Sequence, residues 1–239
     1  MPTLSHWPWP PARPLAERHC VKRLVPGFLL ACLLSLPGTA LAQRGQGWSI
    51  LGADSLGTGN TVFSGQVGWP GLTLGLLHGG SSNVDVGGKF TFNWGREGAV
   101  DFVDPGVKLQ LWLRVMLAKT NKVSLALTFQ PGPIIYFEDF YRRYGGGADF
   151  GMALPVSLTA GFPVGSALML NAGIDIPFHV YFGEDIGAVV PILFGGGVEY
   201  FLNSQMNVNF SLKMGPSVYT RLDNSYFTME ALAGIAYRF

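Results

Sequence analysis

The feature that most constrains this chain is an alternation of apolar and polar residues that recurs from residue 61 onward. In the stretch 84–94, apolar or small residues at even positions alternate with polar or small residues at odd positions. The pattern returns in the stretches 107–117, 150–162, 168–182 and 206–214. Successive side chains of a β-strand point to opposite faces, so a period of two indicates strands with two unlike faces. The alternation therefore predicts an all-β fold.

The limits of this alternation predict ten strands, with eight as the alternative count. The predicted strands are 61–69, 71–78, 84–94, 106–117, 122–137, 148–162, 167–182, 188–202, 205–219 and 226–239. Short connections alternate with longer ones, which is typical of a barrel with turns at one end and loops at the other. Residues 61–239 are thus predicted to form the barrel, and residues 43–60 an irregular periplasmic lead-in.

The composition of the two rows predicts which face points outward. Charged residues make up only 13% of the chain, about half the share usual for soluble domains. The apolar rows are nearly free of charge, whereas the other rows are rich in Gly, Ser, Thr and Asn. A soluble sandwich would carry many more charges on its outward face. We therefore predict a closed antiparallel transmembrane β-barrel, because an open sheet edge in lipid leaves costly unpaired backbone groups.

Aromatic residues near the strand ends are consistent with two interfacial girdles. At the ends of the predicted strands that carry the longer loops lie, among others, Tyr136, Tyr181 and Tyr219, and Phe201 lies near the opposite end. We expect these rings to belong to the two girdles on the outside of the barrel.

The first 42 residues have the features of a signal peptide that is cleaved on export. Lys22 and Arg23 precede a short apolar core, Phe28–Leu36, and an A-x-A cleavage site ends at Ala42. Cleavage would remove Cys20 and Cys32, the only cysteines in the chain. The mature protein is therefore expected to have no disulfide and no thiol chemistry.

The last stretch, ALAGIAYRF, carries the most specific motif. It ends on Phe239, with Tyr237 two residues earlier and apolar residues at alternate positions before that. In this and in the pattern over 61–239, the chain resembles the bacterial outer-membrane β-barrel superfamily. The resemblance implies a small porin-like barrel in the outer membrane of a Gram-negative cell, with both termini periplasmic. It also implies that the outer-membrane assembly machinery recognises Tyr237 and Phe239, and that outer-membrane lipid and lipopolysaccharide are partners. The net charge of +1 argues against nucleic acid as a partner.

Several charged residues fall on the rows predicted to face the lumen. They are Asp85, Lys89, Lys108, Arg114, Asp175, His179, Glu199, Lys213 and Glu230. Buried charges need partners, and side chains can fill barrels of about eight strands. We expect a polar network in a largely side-chain-filled lumen, and a structural or surface-contact role in the cell envelope. The alternative is a narrow passive channel for small solutes.

No catalytic or metal site is expected. Asp175 and His179 share a face, but a separation of four residues at ~3.3 Å each puts them about 13 Å apart, beyond hydrogen-bond reach. We therefore predict no enzyme activity, no cofactor and no bound metal. One predicted loop is richer in binding groups: Tyr141, Arg142, Arg143 and Tyr144 could contact anionic or sugar groups at the cell surface.

Overall fold

A computed structural model describes residues 47–95, 105–137, 147–182, 187–220 and 224–239. These residues form twelve β-segments: β1 Thr61–Trp69, β2 Gly71–Gly79, β3 Val84–Asn93, β4 Gly106–Lys119, β5 Ser124–Phe129, β6 Gly132–Phe137, β7 Ala148–Val164, β8 Leu168–Phe182, β9 Gly187–Pro191, β10 Leu193–Phe201, β11 Met206–Tyr219 and β12 Asn224–Arg238.

No helix in this described part of the chain is long and apolar enough to cross a membrane.

The sheet closes on itself because the last segment pairs with the first. β1 and β12 are antiparallel, with Val62 opposite Arg238 and Trp69 opposite Ala231. The backbone N–H groups of Thr61 and Phe239 each donate to the other's carbonyl oxygen, at 3.2 and 2.9 Å. Each remaining segment pairs antiparallel with its neighbours in the ring. The fold is therefore a closed antiparallel barrel.

The twelve segments occupy ten strand positions. Both β5 and β6 pair with β4 and β7, and both β9 and β10 pair with β8 and β11. The first interruption falls at Gln130 and Pro131, where proline lacks the N–H needed for the ladder. The second falls at Ile192, directly after Pro191. The prediction of ten strands is confirmed, and the alternative of eight is wrong.

The two faces of the wall differ as the alternation predicts. On β4, Leu109 and Leu111 are exposed on the outside, whereas Gln110 and Arg114 are buried inside. Phe90 and Ile174, from other predicted apolar rows, are also exposed. The barrel thus has an apolar outer surface and a mainly polar interior.

Four of the aromatic residues expected on the outside lie inside instead. Tyr136, Tyr181, Tyr219 and Phe201 are all buried, while Phe137 and Phe182 are exposed. Neighbouring residues of a strand face opposite ways, so only one member of each aromatic pair can face outward. At residues 136–137 and 181–182, phenylalanine faces outward and tyrosine faces the interior.

The N-terminal segment, residues 47–60, enters the barrel instead of preceding it. It consists of bends, turns and residues without regular secondary structure. Trp48, Ile50 and Leu56 are buried in an apolar cluster with the inward-facing wall residues Val62, Leu77, Trp112, Met169, Phe201 and Ala236. We call residues 47–60 the plug. The end of the barrel at which β1 begins is called the turn end.

Candidate functional site

The interior of the barrel has three levels. The plug occupies the turn end, a polar cavity lies in the middle, and a layer of tyrosines lies toward the far end. The nine residues predicted to face the lumen all lie in the interior. Six of them line the cavity: Lys89, Lys108, Asp175, His179, Lys213 and Glu230. The other three, Asp85, Arg114 and Glu199, bind the plug, and Arg114 also borders the cavity.

Glu199 of β10 binds the plug directly. Its carboxylate is fully buried and accepts hydrogen bonds from the Ser49 hydroxyl and from the Ile50 N–H at 2.8 Å. The side-chain amide of Asn207 donates a third bond at 3.0 Å. Three donors around one carboxylate offset much of the cost of removing its charge from water. Glu199 is therefore a clamp between the wall and the plug.

Arg114 and Asp85 form a second clamp. The guanidinium and carboxylate are 2.8 Å apart, and their side chains are 2% and 0% exposed. Arg114 also donates to the Ser49 carbonyl at 2.8 Å, and Asp85 accepts from the Leu56 N–H at 3.0 Å. Each ion thus forms a hydrogen bond with a backbone group of the plug, and that group would otherwise be buried without a partner.

Trp48 anchors the start of the plug near the rim. Its indole N–H donates to the Ser204 carbonyl at 3.1 Å, and its ring meets Phe201 edge-on at 5.2 Å between centroids. The Arg238 guanidinium lies 5.5 Å from the same ring. At the rim, Lys119 pairs with Asp54 of the plug at 3.0 Å.

The middle level is a cavity of about 160 Å³. Ile50, Leu51 and Gly52 of the plug contribute to its lining, and hydroxyl, amide and charged side chains of the wall provide most of the rest. A cavity that holds one water needs only about 10–15 Å³ by the same measure, so this one has room for several waters. The lumen is thus filled by a chain segment at one level and open at the next.

The charged groups of the cavity are held in different ways. Lys213 pairs with Asp175 at 2.7 Å and lies 3.8 Å from Glu230. The Lys108 ammonium lies 3.3 Å from the Nε2 atom of His179. Asp175 and His179, the two residues that share a face of β8, therefore contact different partners.

Lys89 is held by an amide instead of a carboxylate. Its ammonium donates to Oε1 of Gln130 at 3.3 Å, and within the described ranges no carboxylate lies at ion-pair distance from it. Gln110 fixes the position of Gln130, because its side-chain amide donates to the Gln130 carbonyl at 2.8 Å. Neither glutamine was among the predicted lumen residues.

The tyrosine layer consists of Tyr136, Tyr181, Tyr219 and Tyr226. The rings of Tyr136 and Tyr181 are 6.3 Å apart, and those of Tyr219 and Tyr226 meet edge-on at 5.2 Å. Ile134 and Val189 pack in the same cluster. The side-chain amide of Asn93 donates to the Tyr136 hydroxyl at 2.6 Å, which links this layer to the wall beside the cavity.

The remaining predicted sites lie away from the interior. Tyr237 and Phe239 are exposed on the outside of the barrel, with their rings stacked at 6.2 Å. Tyr141, Arg142, Arg143 and Tyr144 lie outside the described residues. Ser49 and its plug neighbours were missed, although a tryptophan and several aliphatic residues in an aperiodic segment are a signal for burial.

No model of a known protein family matches the chain, and no curated protein matches it significantly. The class that the fold defines is a closed ten-stranded antiparallel barrel with an internal plug, and its function has to be argued from this geometry.

Proposed function

We propose that this protein is an integral outer-membrane barrel, closed to solutes by its own plug, with a structural or surface-contact role in the cell envelope. The observation that carries the proposal is the apolar outer wall, on which large hydrophobic side chains are exposed on every strand position. Soluble monomers rarely expose a continuous apolar patch larger than a few hundred Å². A bilayer is the environment in which such a wall is favourable and its polar interior is sheltered.

Placement in a bilayer can be tested with a charge on the outer wall. Leu111, near the middle of β4, is 58% exposed. In lipid vesicles, Leu111→Arg should lower the free energy of unfolding by about 2–4 kcal/mol, the cost of a cation at the bilayer midplane.

Val123→Arg is the matched control, because Val123 is exposed in the turn before β5 and a charge near the interface costs only about 0–1 kcal/mol. Equal effects of the two substitutions, or a folded protein that is soluble without detergent, would contradict placement in a membrane.

The burial of the plug supports the proposal that the barrel is closed to solutes. Its residues Trp48–Leu56 are almost all buried, and Glu199, Arg114 and Asp85 bind its backbone from three strands. In planar bilayers the wild-type protein should therefore give no steady single-channel current.

A narrow passive channel for small solutes is the second candidate function, and the polar cavity favours it. A stepwise current through the wild-type protein would support the channel and exclude the closed barrel. Trp48→Ala, which loosens the plug, should then raise that current; in a closed barrel it would at most produce rare openings.

The outward placement of Tyr237 and Phe239 supports the proposal that the outer-membrane assembly machinery recognises the last strand. Residues on that face are available to a partner, which buried residues would not be. Outer-membrane lipid and lipopolysaccharide are the partners proposed for the apolar wall.

A further inference from the structure

We infer that the cavity binds a small neutral polyol, a solute with several hydroxyl groups on a short carbon chain, and that the carboxylates of Glu230 and Asp175 recognise it. This inference goes beyond the proposed function and does not rest on it, because the cavity lies inside the barrel wall whatever surrounds the barrel.

The ions of the cavity act on one another, which favours a solute without net charge. Lys213 lies between two carboxylates, 2.7 Å from that of Asp175 and 3.8 Å from that of Glu230. Lys89 donates to the amide oxygen of Gln130, and the Glu230 carboxylate attracts it. An anionic solute would be repelled by the carboxylates of this cavity, and a cationic one by its ammonium groups.

The Glu230 carboxylate has hydrogen-bonding capacity that its ion contact does not use. The Lys213 ammonium lies 3.8 Å away, too far for a hydrogen bond, and Glu230 borders the cavity. A carboxylate can accept about four hydrogen bonds. A hydroxyl group can donate to a carboxylate and accept from a neighbouring ammonium at the same time, so it is a neutral group that suits both members of an ion pair.

The register of the wall places acceptors on both sides of one donor. Lys213 lies directly opposite Glu230 in the β11–β12 ladder, and on its other side its ammonium reaches Asp175 of β8. Gly195 of β10 lies opposite Lys213 between these strands, and it has no side chain to block the lysine. The order carboxylate, ammonium, carboxylate suits successive hydroxyls of a polyol, of which the outer ones donate and the middle one accepts.

An apolar patch beside these ions can contact the carbon chain of a polyol. In the β7–β8 ladder, Ser157 lies opposite Asp175, and the next inward pair is Pro155 and Pro177. All four residues line the cavity. The two proline rings can pack against C–H groups while the polar pair contacts hydroxyls. A cavity with room for several waters limits the solute to a few carbon atoms.

Equilibrium unfolding in urea tests the inference, with the full chain in micelles of a detergent that has no hydroxyl groups. The probes are glycerol and sorbitol, and 1-propanol is the counterpart of glycerol with a single hydroxyl. A solute that binds only the folded barrel raises the free energy of unfolding with the logarithm of its concentration, however slowly it enters. Exclusion of a polyol from the protein surface also stabilises, but it acts on all variants alike. We expect millimolar binding of at least one polyol and no binding of 1-propanol.

Three variants assign the binding to the cavity. Glu230→Met removes both acceptor oxygens and should weaken binding about tenfold or more, the usual effect of losing a hydrogen bond to a charged group. Glu230→Gln keeps one acceptor oxygen and should weaken binding only about threefold. Gln205→Met is the matched control, because Gln205 is exposed in the turn before β11, and it should bind as the wild type does.

Two results would overturn the inference: the polyols stabilise Glu230→Met as much as they stabilise the wild type and Gln205→Met, or 1-propanol stabilises the wild type as much as glycerol does. If Glu230→Met does not fold, Glu230→Gln replaces it with the smaller expected loss. Neither result depends on current through the barrel, so failure here is distinguishable from failure of the proposed function.

Discussion

The plug level and the cavity level of the interior place similar residues on the same wall and use them differently. At the plug level, Arg114, Asp85 and Glu199 are almost completely buried, and each binds plug backbone. At the cavity level, Lys213 and Glu230 keep 30% and 31% of their side-chain surface exposed. The difference teaches that a charge facing this lumen becomes a structural clamp only where a chain segment fills the space beside it.

The largest loss in the free energy of unfolding is expected from Arg114→Met, because this substitution leaves Asp85 buried without its counterion. Breaking a buried pair in this way costs about 3–5 kcal/mol, to be measured as the free energy of unfolding in urea.

Lys119→Met is the control for this prediction, because Lys119 pairs with Asp54 at the rim with 43% of its side chain exposed. Exposed pairs contribute about 0–1 kcal/mol. If both substitutions cost the same, the plug-level pair is not the clamp described here.

A smaller effect is expected from Glu199→Gln, which keeps the shape of the side chain and removes its charge. The amide oxygen can still accept from Ile50 and Asn207, but the amide N–H replaces the oxygen that accepts from the Ser49 hydroxyl. Losing that hydrogen bond to a charged group should lower the free energy of unfolding by about 1–3 kcal/mol. The same unfolding measurement applies.

Glu230→Gln makes the matching change at the cavity level. It should lower the free energy of unfolding by no more than about 1 kcal/mol, because the 3.8 Å contact of Glu230 with Lys213 is partly exposed. A larger loss for Glu230→Gln than for Glu199→Gln would reverse the comparison of the two levels.

The smallest effect on stability is expected from Lys89→Met. The Lys89 ammonium donates to the amide oxygen of Gln130 at 3.3 Å and forms no ion pair at bonding distance among the described residues, so the free energy of unfolding should fall by less than about 1 kcal/mol. A loss as large as that of Arg114→Met would mean that Lys89 is a structural ion like those at the plug level.

Much of the wall was predictable from the sequence because strand alternation is local. Each apolar row, such as the one with Leu109 and Leu111, can be read without knowing its neighbours, and its low charge indicates the outward face. The strand limits followed from the same pattern. Because proline lacks a ladder donor, Pro191 within a predicted strand favours a bulge or bend there, and the strand is interrupted at Ile192 beside it. The interruption at Gln130 was not predicted.

The outward orientation predicted for Tyr136, Tyr181 and Tyr219 failed for a different reason. Aromatic residues at strand ends suggest a girdle, but adjacent aromatic residues cannot share a face. A stricter count of alternate positions would have placed the tyrosines inside.

The sequence by itself determined the number of strands, their approximate limits and the sidedness of the barrel, because a period of two depends only on neighbouring residues. The tertiary structure alone decided that residues 47–60 enter the lumen and that Glu199 meets Ser49, 150 residues away in sequence. It also decided that Lys213 pairs with Asp175 while Lys89 donates to Gln130. These outcomes depend on closure, since only a closed ring brings distant strands around one interior and sets which of their charges meet.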